Sequence, residues 1–415
     1  MDDWPSRLVS FAGLAVMLLI ALALSENRRR INRRLVLAGL GLQLVFALLV
    51  LCSHPGRWFL DAARAAFDFM IRASNEGAGL LFGKLTTDYS LGAVFAFQVL
   101  PIVIFFSALA GVLYYLGITQ LVVRGMARIM RWAMNTSGAE SLACALFVFL
   151  GIEATTAITE YIRRMTRSEL FTLMTGFMAT IAGSVMGAYV SFGADPGHLL
   201  AASVMSAPAA IVISKMMIPE IESPLTLGAV HFQPPQEAVN VIDAAARGAG
   251  QGLVLALNIG AMLIAFVGLV ALVNLGLAAV TGQGGVADWF GGPVTLQRVL
   301  GCAFSPLAYV MGITSWSDAQ AVGQLLGTRT VLNEFVAYQQ MQGLVAAGAI
   351  SPRAVVIATY ALSGFANFGS VAILIGGLGA IDPDRKSLLA GLGVRSIISG
   401  MLACFMTACY AGMLV

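Results

Sequence analysis

Glu334 opens the string Asn333-Glu334-Phe335-Val336-Ala337-Tyr338. A second polar island, Gly364-Phe365-Ala366-Asn367-Phe368-Gly369-Ser370, interrupts a later apolar run. Glu153 stands in a comparable setting, Leu150-Gly151-Ile152-Glu153-Ala154-Thr155. A carboxylate accepts two hydroxyl protons, an amide both donates and accepts, and a hydroxyl does either. Glu334 with Asn367 and Ser370 therefore suits a vicinal diol, as on a polar neutral ligand such as a sugar. Gly364 and Gly369 flank Asn367 and favour a break in regular helix there, which would expose carbonyls and amides to a ligand. Catalysis is not expected: the chain has no GxSxG elbow, no HExxH motif and no paired-Asp constellation. His54, His198 and His231 are scattered without ligand spacing, so they read as structural or solvated, and neither a metal nor a cofactor is expected.

The elements that must position these residues are set by composition. Of 415 residues, 59% are hydrophobic and only 11% charged, with a mean hydropathy of +0.86. Soluble domains carry about 25% charged residues. So little charge cannot cover a water-soluble globule, whereas lipid-facing surface can stay apolar. An all-α integral membrane protein follows. The net charge of +3 is small and its basic residues sit in short loops, which suits topology signals and argues against nucleic-acid binding. The five cysteines form no CxxC pair and read as reduced packing residues. The N-terminus lacks a basic n-region and a small-residue cleavage site, so the first apolar run is expected to be retained.

A bilayer core needs roughly 20 apolar residues per helix. Runs of that kind occupy about 9–25, 35–52, 91–121, 170–192, 199–217, 250–280, 354–379 and 388–415, giving eight expected transmembrane helices. Residues 57–72 are amphipathic and suit an interfacial helix; 297–311, interrupted by Pro306, is placed at the interface as well. Arg28, Arg29, Arg30, Arg33 and Arg34 place the first loop in the cytoplasm and both termini outside. The apolar run 141–159 is then bounded by Arg124, Arg128 and Arg131 before it and Arg163, Arg164 and Arg167 after it. Both ends ask to be cytoplasmic, so a re-entrant hairpin, at about 138–166, is expected instead of a crossing. Glu153 near its middle supports a buried, broken segment.

The order Glu153, Thr166-Arg167-Ser168, Ala182-Gly183-Ser184-Val185, Ala194-Asp195-Pro196 is echoed later. The echo runs Glu334, Ile350-Ser351-Pro352, Phe368-Gly369-Ser370-Val371, Ile381-Asp382-Pro383. Counting crossings inverts the second copy, with its hairpin at about 318–350 opposed to the first. The expected organisation is an N-terminal scaffold over 1–90, inverted repeats over 91–217 and 250–415, and a linker over 218–249. A site at the midplane between broken helices is the corollary.

These strings, with Met165-Thr166-Arg167-Ser168-Glu169-Leu170-Phe171, Leu199-Leu200-Ala201-Ala202-Ser203-Val204-Met205-Ser206-Ala207-Pro208, Phe304-Ser305-Pro306-Leu307-Ala308 and Leu325-Leu326-Gly327-Thr328-Arg329-Thr330, resemble the concentrative nucleoside transporters. The likeness runs from about residue 91 to the C-terminus. It implies a homotrimer in the cell inner membrane that imports nucleosides. Glu334, Asn367 and Ser370 would hold the ribose, Phe365 and Val185 would line the pocket, and Glu153 would contribute at the first hairpin. The first hairpin departs from the family's Gly-Gln-Thr-Glu-Ala-Pro: the polar pair that would address the nucleobase is Gly151-Ile152 here. A different base, a larger or modified one, or broad tolerance all fit. Sodium-coupled members also place an Asn seven residues before this Glu; here that position is Leu146. Thr180 and the carbonyls of Phe149 and Ile181 remain as ion ligands, and either H+ or Na+ can be the coupling ion. A second reading is a non-transporting membrane scaffold or ligand-sensing protein that keeps the fold. Arg329 reads as a polar-rim or pairing residue.

Overall fold

The computed structural model describes residues 4–86, 95–226, 238–281 and 294–415, all helix and connecting turns with no strand among them. His231, the core of the linker (227–237) and the first residues of the expected third span (91–94) lie outside the described residues.

Seven helices are long and apolar enough to cross a membrane: Trp4–Ala23, Arg33–Cys52, Phe95–Tyr115, Arg167–Ser191, Pro196–Met217, Val241–Thr281 and Pro383–Leu414. The eighth expected span is present as two shorter apolar helices in tandem, Pro352–Leu362 and Phe368–Ile381. Arg167–Ser191 is likewise two pieces, with helix over Arg167–Ala179 and Gly183–Ser191. The third run was drawn too long at its end: helix stops at Tyr115, Gly117 turns with φ 80°, and a separate helix Ile118–Met134 follows. That helix carries Arg124, Arg128 and Arg131 beside exposed Leu121 and Trp132, so it is amphipathic. Helix already begins at Val241, inside the stretch 218–249 expected as linker.

Local sequence sets these starts and stops. Ser137 accepts the N–H of Glu140 at 3.2 Å while the Glu140 carboxylate accepts the N–H of Ser137 at 2.8 Å, a capping box that fixes the start of Gly138–Phe147. Thr166 and Glu169 do the same for Arg167–Ala179. Asn333 caps Glu334–Ala346 and Asn367 caps Phe368–Ile381.

Cross-links sort the chain ends onto two opposite ends of the bundle. At one end Glu26 binds Arg167 and Arg395 and donates its N–H to the carbonyl of Met217 at 2.9 Å. Arg163 reaches the carbonyl of Ile381 there, and Arg385 that of Met165. At the other end Ser10 binds the carbonyl of Met311, Arg353 binds those of Gly412 and Val415, and Arg64 pairs with Asp195. Gly138, which opens the first expected hairpin, donates to the carbonyl of Thr226, and Arg163–Met165 closes it on the Glu26 end. Trp316–Val331 and Glu334–Ala346 pack on each other, and Asp318 ties the start of that pair to Ser351 at the Ser10 end. Each helix pair thus has both ends at one end of the bundle, and the two pairs sit at opposite ends.

Candidate functional site

Arg167–Ser191 loses helix at 180–182, and Pro352–Ile381 at 363–367. The two interruptions meet. A Cβ on Gly364 would stand 2.6 Å from the Met178 carbonyl oxygen and 2.6 Å from Cys404 Sγ, so only glycine lets the two backbones pass. The Cys404 thiol lies between the freed carbonyls of Ala179 and Ser363, 3.5 and 3.8 Å away and one from each broken span, and shares its single S–H between them. Arg329, fully buried, donates to the carbonyl of Ala361 at 2.5 Å and lies 5.5 Å above the Phe405 ring. It therefore holds the second break together, which is the pairing alternative of the two read from the sequence.

Asn333 starts a helix that puts Glu334 in its first turn, where the positive end of the helix dipole favours a carboxylate. Glu334 is 3% exposed. Its Oε1 accepts the Tyr189 hydroxyl at 3.0 Å, and its Oε2 accepts Asn367 Nδ2 at 3.0 Å. The other end of the Asn367 amide accepts the N–H of Ser370 at 2.8 Å. This orients Asn367: oxygen to the helix, nitrogen to the carboxylate. The Tyr189 ring stacks on Tyr338 at 4.7 Å and tilts against Phe335 at 4.8 Å, which fixes the hydroxyl.

A cavity opens beside this cluster, lined from the first helix pair, both broken spans and Val241–Thr281. Every candidate read from the sequence lines it: Gly151, Ile152, Glu153, Val185, Glu334, Phe365, Asn367 and Ser370. Ile152 also packs on the second broken span, where a Cβ at Gly377 would stand 2.9 Å from its Cγ1. Phe365 is braced by Phe177 at 5.5 Å. The sequence reading missed Tyr189, Phe335, Asn258, Met262 and Phe266. Two of these had a signal: Tyr189 follows Val185 by one helical turn, and Asn258 is a lone amide in a long apolar helix.

The candidate ion ligands also come together. The carbonyl of Phe149 accepts the N–H of Gly183 at 3.1 Å, which seats the first helix pair on the 180–182 break. The Thr180 hydroxyl donates to the carbonyl of Gly176 at 2.8 Å, and Ile181 and Leu146 are fully buried. Among the described residues no group of three or more His, Cys, Asp or Glu side chains could hold a metal. At the root of the first pair, Lys215 bonds Glu140 at 2.7 Å, Ser168 at 3.0 Å and Glu220 at 3.1 Å. This cluster went unread in the sequence, where Lys215 is one charge in an apolar run.

Apolar spans broken where they cross, with carboxylates from two helix pairs turned into one cavity, define a secondary transporter of the broken-helix class. Comparison with known proteins carries the assignment further. Three family models cover nearly the whole chain: Na+ dependent nucleoside transporter N-terminus over 12–85, nucleoside recognition gate over 96–196, and Na+ dependent nucleoside transporter C-terminus over 198–412. An uncharacterized transporter of Haemophilus influenzae is 42% identical over 99% of this chain and 98% of its own length. Sodium/nucleoside cotransporter 1 of Mus musculus is 40% identical over 99% of this chain and 64% of its own length. The structure of CNTnw in an inward-facing, substrate-bound state matches with a TM-score of 0.89 at 40% identity, covering 99% of this chain and 98% of that one. A variant of CNTnw in an outward-facing state matches with a TM-score of 0.91 at 39% identity, covering 99% of each chain. The chain belongs to the Na+ dependent (concentrative) nucleoside transporter family, a family of multi-pass membrane transporters and not of enzymes.

Proposed function

We propose that this protein imports nucleosides across the cell inner membrane by alternating access, with both termini outside. The observation that carries the proposal is the Tyr189–Glu334–Asn367 cluster on the cavity wall. Its carboxylate is held by two neutral donors and keeps lone pairs for the two hydroxyls of a ribose, with Ser370 beside it. Phe365 and Val185 supply apolar walls, and Gly151, Ile152 and Glu153 form the base end. The helix pairs at opposite ends of the bundle act as opposed re-entrant hairpins of an inverted repeat, one gating each side. Solved relatives in inward-facing and outward-facing states support that cycle.

The family is sodium-dependent by description. For this chain we favour the proton, carried by Glu153 or Glu334. Sodium wants several hard oxygens. Here Leu146 supplies none, which leaves the Thr180 hydroxyl and the Phe149 and Ile181 carbonyls one side-chain ligand short of the sodium-coupled pattern. A homotrimer fits the broad exposed apolar face of Val241–Thr281, with Leu253, Leu257 and Ile264 open in the single protomer.

Uptake of labelled nucleosides in a transport-deficient host tests the function. Accumulation that Glu334→Gln leaves unchanged would refute it. Uptake measured with sodium against choline, across pH, tests the ion. Stimulation by acid and indifference to sodium are expected, and an absolute sodium requirement would reverse the choice.

A further inference from the structure

The central cavity adjoins a second chamber at its base end. Gly151, Glu153, Ser184 and Leu255 line both, and the second is open to solvent. The two volumes therefore lie on either side of these residues at the tip of the first helix pair. At Gly151 the Glu153 carboxylate covers the gap: a Cβ there would stand 2.9 Å from its Oε2, so a group that enters must displace that side chain.

The chamber has a fixed far wall. Leu100–Tyr115 and Val241–Thr281 touch backbone to backbone, since a Cβ on Gly111 would fall 2.7 Å from the Ala244 carbonyl oxygen and one on Gly248 2.5 Å from that of Ser107. The wall carries Tyr114 and Tyr115 past this crossing, and Arg247 and Gln251 alongside it. The Tyr115 hydroxyl is tied to the carbonyl of Val239 at 3.3 Å, and Arg247 to Asp243 at 3.1 Å. The wall is thus aromatic faces and held polar groups, a surface for a planar apolar substituent with polar edges. The ribose end offers nothing similar: Tyr189, Tyr338 and Phe335 close it with side chains that are 0–3% exposed.

Building on the nucleoside reading above, we propose that the base end admits nucleosides extended on the nucleobase. The extension, an aryl or alkyl group on the exocyclic nitrogen of a purine, passes Gly151 into the Tyr114–Tyr115–Gln251 chamber. Ribose-extended nucleosides are excluded.

The test is equilibrium binding to the purified, detergent-solubilised protein, with uridine, adenosine, N6-benzyladenosine and 3′-O-benzyladenosine as probes. Binding is used because the chamber can also lie on the path of release, where a plug would slow every substrate. Uridine, adenosine and N6-benzyladenosine are expected to bind, and 3′-O-benzyladenosine is not. Gln251→Trp and Ala110→Phe fill the chamber from partly open positions that do not line the central cavity. Each is expected to weaken N6-benzyladenosine at least tenfold and to leave uridine within twofold. The inference is overturned if the wild type binds uridine but not N6-benzyladenosine, or if the plugs leave N6-benzyladenosine unaffected. Equal weakening of uridine and the extended probe overturns it too, because the chamber would not then be specific to the extension. Absence of binding by uridine and adenosine alike overturns instead the nucleoside reading on which it rests.

Discussion

Replacing Glu334 by Gln removes one charge and almost no volume, and the hydrogen bonds around it say what should follow. In the wild type both carboxylate oxygens accept, one from Tyr189 and one from Asn367. Asn367 cannot turn over to suit a new donor, because its oxygen caps Ser370. The Gln oxygen must therefore face Asn367 and its nitrogen Tyr189, whose hydroxyl rotates to accept. The variant folds, with its site intact but neutral. Hydrogen bonds to a charged group are worth about 1.5–3 kcal/mol and neutral ones about 0.5–1.5 kcal/mol. Two ribose hydroxyls that exchange a charged acceptor for a neutral one lose about 2–3 kcal/mol, or roughly 30- to 150-fold in affinity. The assay is a cycle: nucleoside and its 2′,3′-dideoxy analogue, each against wild type and Glu334→Gln, by equilibrium binding. The dideoxy compound should bind both proteins nearly alike, so that most of the loss appears as a coupling between the carboxylate and the diol. Strictly additive losses would refute the assignment of Glu334 to the ribose, even if uptake fell.

Tyr189→Phe keeps the stacked ring and removes one donor to Glu334; nucleoside binding should weaken by about 1 kcal/mol, roughly fivefold, in the same assay. Lys215→Met leaves Glu140, 2% exposed, without its cation, and thermal unfolding of the purified protein should reveal a loss of about 3–5 kcal/mol, much of it recovered by Glu140→Gln in the same chain. Gly364→Ala should abolish folded protein in a size-exclusion profile, because neither the Met178 carbonyl nor the backbone around it can retreat. The Arg167 guanidinium, with Arg395 beside it, holds the Glu26 carboxyl below the usual carboxylate range. That stability is present above the unfolded value of about 4.3 and is lost as pH falls through the depressed folded one. Melting temperatures of wild type and Glu26→Gln should therefore differ at neutral pH and converge in acid.

The sequence exposed the chemistry of this site better than its scaffold, for a physical reason. A charge or amide inside an apolar run is costly in lipid, so Glu153, Glu334 and Asn367 announce themselves one residue at a time. Glycines at 364 and 369 likewise mark a break without any knowledge of its neighbours. Tyr189 gave only its spacing from Val185, since a tyrosine in a membrane helix is ordinary until a carboxylate from 145 residues later in the chain is found against it. Lys215 was silent for the same cause: Glu220 is near it in sequence, but Glu140 and Ser168 reach it only through the folded bundle. Boundaries failed where hydropathy is blind to direction. At Gly117 the backbone turns with φ 80° into a separate amphipathic helix, Ile118–Met134, while apolar side chains run on through Leu121 without marking the turn.

The crossing of the two interrupted spans explains why the polar residues can be concentrated there at all. Each break frees carbonyls and amides that lipid cannot satisfy. Here the protein supplies partners: Cys404 shares its one S–H between a carbonyl of each span, Arg329 takes that of Ala361, and the Asn367 side chain caps the restarted helix. Arg329 and Cys404 do not line the cavity, so the repair is made behind the site and leaves Glu334 and the far side of Asn367 facing it. The crossing also fixes these spans to one another, because Gly364 and Gly400 both lie directly on Met178. Motion that opens the cavity should therefore keep this contact whole and be taken up around it. The two helix pairs, each rooted at a single end of the bundle, are the parts placed to take it up.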